Sequence, residues 1–242
     1  MTGTASPWVA PSRAAAADRH PERWLWGTAS AAAGVLLAQA LVAWAAGHPG
    51  HDPQGVLPHA LGWLAMIAVM APLVADNAHY AAMRSPRAAR TRVTIDVVAG
   101  WAAAWCAAAV VLAVGVWSLS RTAGDLRAVV LVTAVAVGWQ CSPVKRRSLA
   151  RCHRVFAPPL DRRRARRACS RFGLRLGRDC VSTCWPLMAL MAVAGHSLPV
   201  VAASVGVAWY ERRQPHHDPA TTETALLVAA IGATAVVAAV RR

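Results

Sequence analysis

Acid is scarce in this chain. Of 242 residues only 11 are Asp or Glu, and charged residues of both signs make up 15%. An average soluble domain carries about 25%. The acids fall mostly in loops, so paired-carboxylate acid–base chemistry has little support. An ion-driven transporter would show acids within its spans, and Asp96, near the start of a long apolar run, is read as interfacial. There is no Walker loop, no Gly-rich dinucleotide turn and no His-Glu-x-x-His. No internal repeat stands out, and no soluble stretch is large enough to fold alone. These absences argue against an enzyme.

What is present is apolar. Hydrophobic residues make up 56% of the chain, and its mean hydropathy is +0.36. Runs rich in Ala, Val, Leu, Gly and Trp approach the roughly 20 residues needed to cross a hydrocarbon core of about 30 Å. Candidate spans cover Trp24 to Ala46, Leu57 to Ala75, Val93 to Leu119, Leu126 to Gln140 and Ala225 to Val240. The run from Val181 to Tyr210 is too long for one straight helix. Gly195, His196 and Pro199 break it into a hairpin, whose first helix begins near Arg171 as an amphipathic lead-in. The expected fold is all-α, a polytopic transmembrane bundle of about six or seven spans.

Charge orients that bundle. The stretch from Lys145 to Arg178 holds thirteen Lys and Arg against one acid, Asp161, and Arg84 to Arg92 holds four Arg. The positive-inside rule places both in the cytoplasm. The segment from Gly47 to Val56 has neither Lys nor Arg and falls outside. Alternation then puts the N-terminus inside. Seven spans would put the C-terminus outside, which Arg241 and Arg242 oppose. Residues 1–23, rich in Ala and Pro, are expected to be a disordered cytoplasmic segment. No cleavable signal pattern precedes the first apolar run. Residues 24–242 form one transmembrane domain with a basic cytoplasmic loop, 144–178. The net charge of +15 is accounted for by topology, with the lipid bilayer rather than nucleic acid as the adjacent partner.

Chemistry remains in soft side chains. One helix reads Cys180-Val-Ser-Thr-Cys184-Trp-Pro-Leu-Met188-Ala-Leu-Met191, with His196 at its end. At 3.6 residues per turn, Cys180, Cys184, Met188 and Met191 fall within about 80° of arc. Thiolate and thioether ligands select soft ions, Cu(I) above all. In the second span Met66 and Met70 share a face, with Trp63 one turn earlier. Methionine at this spacing serves either adaptable packing or ligation. His48, His51 and Asp52, with His59 and His196 at the same level, form an outer group that is either a copper capture point or interfacial polarity. His216 and His217 lie in a polar run read as a solvated loop.

Three blocks of the sequence resemble a bacterial family of predicted metal-binding integral membrane proteins, one branch of which is described as a membrane copper chaperone associated with a tyrosinase. The block Trp-x-x-Met-x-x-Ala-Met-Met-x-Pro is matched by Trp63, Met66, Met70 and Pro72, with Val69 for the first of the paired Met. The block Gln-x-x-Pro-Leu-Lys is matched by Gln140, Pro143 and Lys145. Cys152 follows, and Ser148 stands for a cysteine. The block Gly-x-x-Cys-x-x-Cys-Cys-Trp-x-x-Met is matched by Gly177, Cys180, Cys184, Trp185 and Met188, with Thr183 for a cysteine; His196 replaces a later Met.

The resemblance implies a copper chaperone in the cytoplasmic (inner) membrane of a bacterium. Together with the soft-ligand stripe, it makes the leading expectation a protein that binds Cu(I) through Met66, Met70, Cys180, Cys184, Met188, Met191 and His196 and passes it to a copper-accepting protein. The alternative is a structural or assembly subunit of a membrane complex that binds no metal.

Overall fold

The computed structural model describes residues 20–45, 56–213 and 221–240. Helix α1 spans Arg23–Ala45 and α2 spans Val56–Met70. A 3-10 turn, Ala71–Val74, joins α2 to α3, Ala75–Met83. Pro72 sits at the start of that turn, where its missing N–H breaks the α-helical ladder and the chain tightens. A second 3-10 turn, Arg87–Ala89, leads into α4, Arg90–Ala123. Gly124, with φ of +80°, ends α4 and starts α5, Asp125–Gln140.

Helix α6, Pro143–Cys152, lies inside the stretch read from sequence as a basic loop. Its start follows local rules: Ser142 caps it by accepting from the Val144 N–H at 3.2 Å, and Pro143 occupies the first turn. Asp161 caps α7, Arg162–Val193, by accepting from the Arg164 N–H at 2.7 Å. The break expected near Gly195 is present. The His196 N–H donates to the Met191 carbonyl at 2.8 Å and the Gly195 N–H to that of Ala192 at 3.0 Å. This is a Schellman closure, which needs a left-handed backbone, and Gly195 has φ of +64°. Helices α8, Leu198–Arg213, and α9, Thr221–Val240, complete the chain.

The α4–α7 pair is the most extensive helix contact, and α5–α9 follows. Glycine sets the closeness of both. A Cβ on Gly173 would stand 2.0 Å from the Val97 carbonyl oxygen, and one on Gly100 2.2 Å from that of Ser170. Gly177 continues the stripe against Trp101 and Ala104. Small residues four apart on each helix let two backbones touch, as in membrane helix dimers. At the α5–α9 crossing a Cβ on Gly232 would meet the Thr133 side chain at 2.0 Å.

The described residues are helical throughout their regular structure, as expected, but the span count needs correction. Two stretches, Ala60–Met83 and Arg87–Ala123, are long and apolar enough to cross a membrane, and up to three if the pair α5 and α6, bent by 69°, counts as one. Six or seven were expected. Helices α5 and α8 have 16 residues each, about 24 Å of rise, which falls short of the core thickness. Helix α7 is long, but its first half is dense in Arg. Of the expected N-terminal segment, residues 1–19 lie outside the described residues.

The α4–α7 crossing gives a direct test. Gly173→Ala forces backbone apart and is expected to cost about 1–3 kcal/mol, read as a lower melting temperature of the detergent-purified protein. Gly206→Ala, whose Cβ would meet nothing within 4 Å, should leave melting unchanged or raise it slightly.

Candidate metal centre

Three cysteines converge on one small cavity. Cys180 and Cys184 are four residues apart on α7, so they share a face, and both are buried. Cys152 is the last residue of α6. The bend between α5 and α6 folds this helix back along α7 and brings the Cys152 Sγ to 3.7 Å from the Cys180 Sγ. The three thiols line a cavity of about 20 Å³, room for one water-sized particle. The three sulfurs are not all within 4.8 Å of one another. Trp101 and Trp105 of α4 form another wall, delivered there by the glycine crossing. Thr183 completes the α7 side; its hydroxyl donates to the Asp179 carbonyl at 2.8 Å and lies 3.9 Å from the Cys152 Sγ. Position 183, where the resembled family has a cysteine, thus sits against the same thiol.

Fixed polar contacts hold Cys152 in place. The Asn77 side-chain amide, on α3, donates to the carbonyls of Cys152 at 3.2 Å and Arg154 at 2.9 Å. Arg212 of α8 donates to the Asn77 Oδ1 and lines the thiol cavity. Its guanidinium places a positive charge on the cavity that the thiols line. Arg151 pairs with Asp179 at 3.0 Å, so the residues preceding Cys152 and Cys180 are clamped together. Below these, Lys145 of α6 and Glu211 of α8 form a buried ion pair at 2.5 Å. Removing one partner of such a pair strands a buried charge, at a cost of about 3–5 kcal/mol.

The other expected ligands are placed as follows. Met66, Met70, Met188 and Met191 are all fully buried in the core. Helix α2 packs chiefly on α1, and α7 chiefly on α4. His196 lies at the far end of α7, its ring edge-on to Trp63 with centroids 5.6 Å apart, and close above Gly62. Twelve residues separate it from Cys184, about 18 Å of helix, so one ion cannot touch both. His48, His51, Asp52, His216 and His217 lie outside the described residues, as does the side chain of His59. Sequence reasoning left Cys152 out of the ligand set. Its partner is 28 residues away, beyond the reach of any helical spacing, although it follows the Gln140–Lys145 block.

The described residues thus form helices that enclose a buried thiol cavity. The chain is a member of the PpoB2 family of copper chaperones, whose model matches residues 60–235 and so covers all three motif blocks. No curated protein and no solved structure matches it. Family membership gives the protein a copper-related role and implies copper binding and a copper-accepting partner.

The sulfur separation has a consequence in the metal-free protein. Oxidation with diamide should join Cys152 to Cys180, detected as one cross-linked peptide pair by mass spectrometry. Cys106, exposed and remote in sequence, should remain a free thiol. A Cys180–Cys184 link in place of Cys152–Cys180 would contradict the arrangement.

Proposed function

We propose that this protein is a membrane-embedded Cu(I) chaperone whose thiol site is formed by Cys152, Cys180 and Cys184. The observation that carries the reading is the convergence of three buried thiols on one ion-sized cavity. A metal about 2.3 Å from each of two sulfurs 3.7 Å apart subtends an angle of about 107°. That angle leaves room for further ligands, and Cys184 lines the same cavity. Thiolate donors favour Cu(I) over harder ions. Met188 and Met191 continue the α7 stripe, and Met66 and Met70 of α2 are buried in the same core cluster. We assign these thioethers to a relay between the thiol site and His196. No covalent chemistry is required, since ligand exchange between neighbouring soft donors moves the ion, and the recipient is a copper-accepting protein.

Membrane insertion is part of the proposal. Large apolar residues stand exposed on α1 (Leu41, Val42), α4 (Val110, Val111, Val114), α5 (Val130, Leu131) and α9 (Leu226). Exposed apolar surface on this scale suits lipid rather than water. Residues 24–242 act as one helical membrane domain in the bacterial inner membrane, and the N-terminal segment and the basic stretch 144–178 face the cytoplasm.

Cu(I) titration of detergent-purified protein against a competing chelator tests the site. Cys152→Ser, Cys180→Ser and Cys184→Ser should each weaken binding by more than about 100-fold, the upper end of what losing a mere supporting contact costs. Met188→Leu with Met191→Leu conserves volume and should cost under about 1.5 kcal/mol of stability while slowing copper release to a soluble acceptor. Cys106→Ser should change nothing. A parent protein that binds no Cu(I) would promote the structural-subunit reading instead.

Orientation needs an exposed reporter. Cys152 and Cys169 are buried, and burial first, then the Asp96 carboxylate, pushes the Cys169 thiol up to about 11. Neither is therefore a usable reporter for a bulky impermeant maleimide on either side. Leu160 is 86% exposed. With Cys106 and Cys141 replaced by Ser, Leu160→Cys should resist an impermeant maleimide in intact cells and react after permeabilisation. Ready labelling from outside would reverse the topology.

A further inference from the structure

A second cluster of ligating side chains lies outside the thiol site. His20 and Glu22 precede α1, and His79 lies on α3. The His79 Nδ1 is 2.9 Å from one carboxylate oxygen of Glu22, and the His20 Nδ1 is 3.2 Å from the other. The two imidazoles stack at 23° with centroids 5.7 Å apart, so both Nδ1 edges face the same carboxylate. One ligand atom from each residue falls within 4.8 Å of the other two, the only such trio of His, Cys, Asp or Glu among the described residues. Backbone bonds fix the turn: the Arg23 N–H donates to the His20 carbonyl at 3.2 Å and the Leu25 N–H to that of Glu22 at 2.9 Å.

From this geometry we infer that His20, Glu22 and His79 form a second metal site, for a divalent first-row ion. Two imidazole nitrogens and a carboxylate oxygen are borderline-to-hard donors, matched to Cu²⁺ or Zn²⁺ and not to Cu(I). Ligand atoms in a tetrahedral site with bonds of about 2.0–2.1 Å stand about 3.3 Å apart, close to the two imidazole–carboxylate separations present. Burial raises the Glu22 carboxyl, but the hydrogen bond from His79 and further contacts outweigh it and hold it below its ordinary value, so the ligand is anionic at neutral pH. Exposures of 45% for His20 and 36% for His79 leave the site open to water for a remaining coordination position. Two of the three ligands precede the family match at 60–235, so the site is separate from the thiol centre in sequence as well as in donor type. Among divalent ions Cu²⁺ binds such a set most tightly.

The test uses the full-length protein in detergent with its thiols first saturated by Ag⁺, a soft d¹⁰ ion that occupies sulfur sites without redox chemistry. Cu²⁺ is then titrated and followed by electron paramagnetic resonance, and Zn²⁺ is titrated in competition. One Cu²⁺ with nitrogen hyperfine structure is expected. His79→Asn and His20→Asn should each lose that signal and weaken binding at least tenfold, and Glu22→Gln should weaken it similarly. Ag⁺ stoichiometry should stay at the parent value, and an unchanged helical circular-dichroism spectrum shows that the variants fold. If the three variants keep the parent's Cu²⁺ count and spectrum, the inference is overturned. A lowered melting temperature with unchanged Cu²⁺ binding would likewise overturn it and leave the cluster as ion pairing that anchors the start of α1.

Discussion

The close crossing of α4 and α7 is the contact on which the rest of this structure depends. Gly100, Gly173 and Gly177 remove the side chains that would keep two backbones apart, and the helices meet with a carbonyl about 2 Å from where a Cβ would be. That proximity presses Trp101 and Trp105 onto the α7 face that bears Cys180 and Cys184. A wider crossing would leave the thiols beside a void, which costs packing energy in proportion to its size. The glycines also carry no chemistry themselves. Their contribution is to make the cavity small enough for one ion rather than a water-filled cleft.

Onto this pair the other helices add polar fixings at one end. Arg151 with Asp179, Lys145 with Glu211, and Asn77 with the Cys152 carbonyl all tie α6 to its neighbours within one or two turns of the thiols. Of these the Lys145–Glu211 pair is buried, and such pairs contribute little net stability against an apolar packing of equal volume. They do select one position for α6, because any shift strands a charge. A ligand shell that must hold sulfur atoms at a fixed separation gains from that selectivity. Supporting contacts around metal ligands commonly govern affinity to this extent.

Much of this was legible in the sequence, and what was not has physical causes. Apolar runs gave α1 and α5 to within a residue and α2, α4 and α9 to within five, because run length reports helix directly. The break at Gly195 and His196 was legible because left-handed closure demands glycine. Helix α6 escaped because it has no apolar run, although Ser142-Pro143 is a strong helix start. The number of spans was overread: an apolar run of 16 residues looks like a span in sequence, but as a helix it falls short of the bilayer core. Cys180 and Cys184 were found by local periodicity. Cys152 and the trio His20, Glu22 and His79 were not, since each depends on pairing across tens of residues that only the fold supplies.

Helix α3 connects these two places. It is nine residues long, and it turns Asn77 toward the backbone of Cys152 and His79 toward Glu22. The two residues are two apart, so they project to different sides of one rigid turn. A short helix held by both contacts cannot shift for one without straining the other. An ion bound at either of the two proposed sites would therefore favour the α3 position that the other requires. Linkage makes that effect reciprocal: whatever occupancy of the histidine site does to affinity at the thiols, occupancy of the thiols does to affinity at the histidines. The sign is favourable, because in both cases the supporting contact is made with α3 in its present place. A soft site for the cargo and a harder site near the start of the chain would then respond to copper in both of its oxidation states through one nine-residue element.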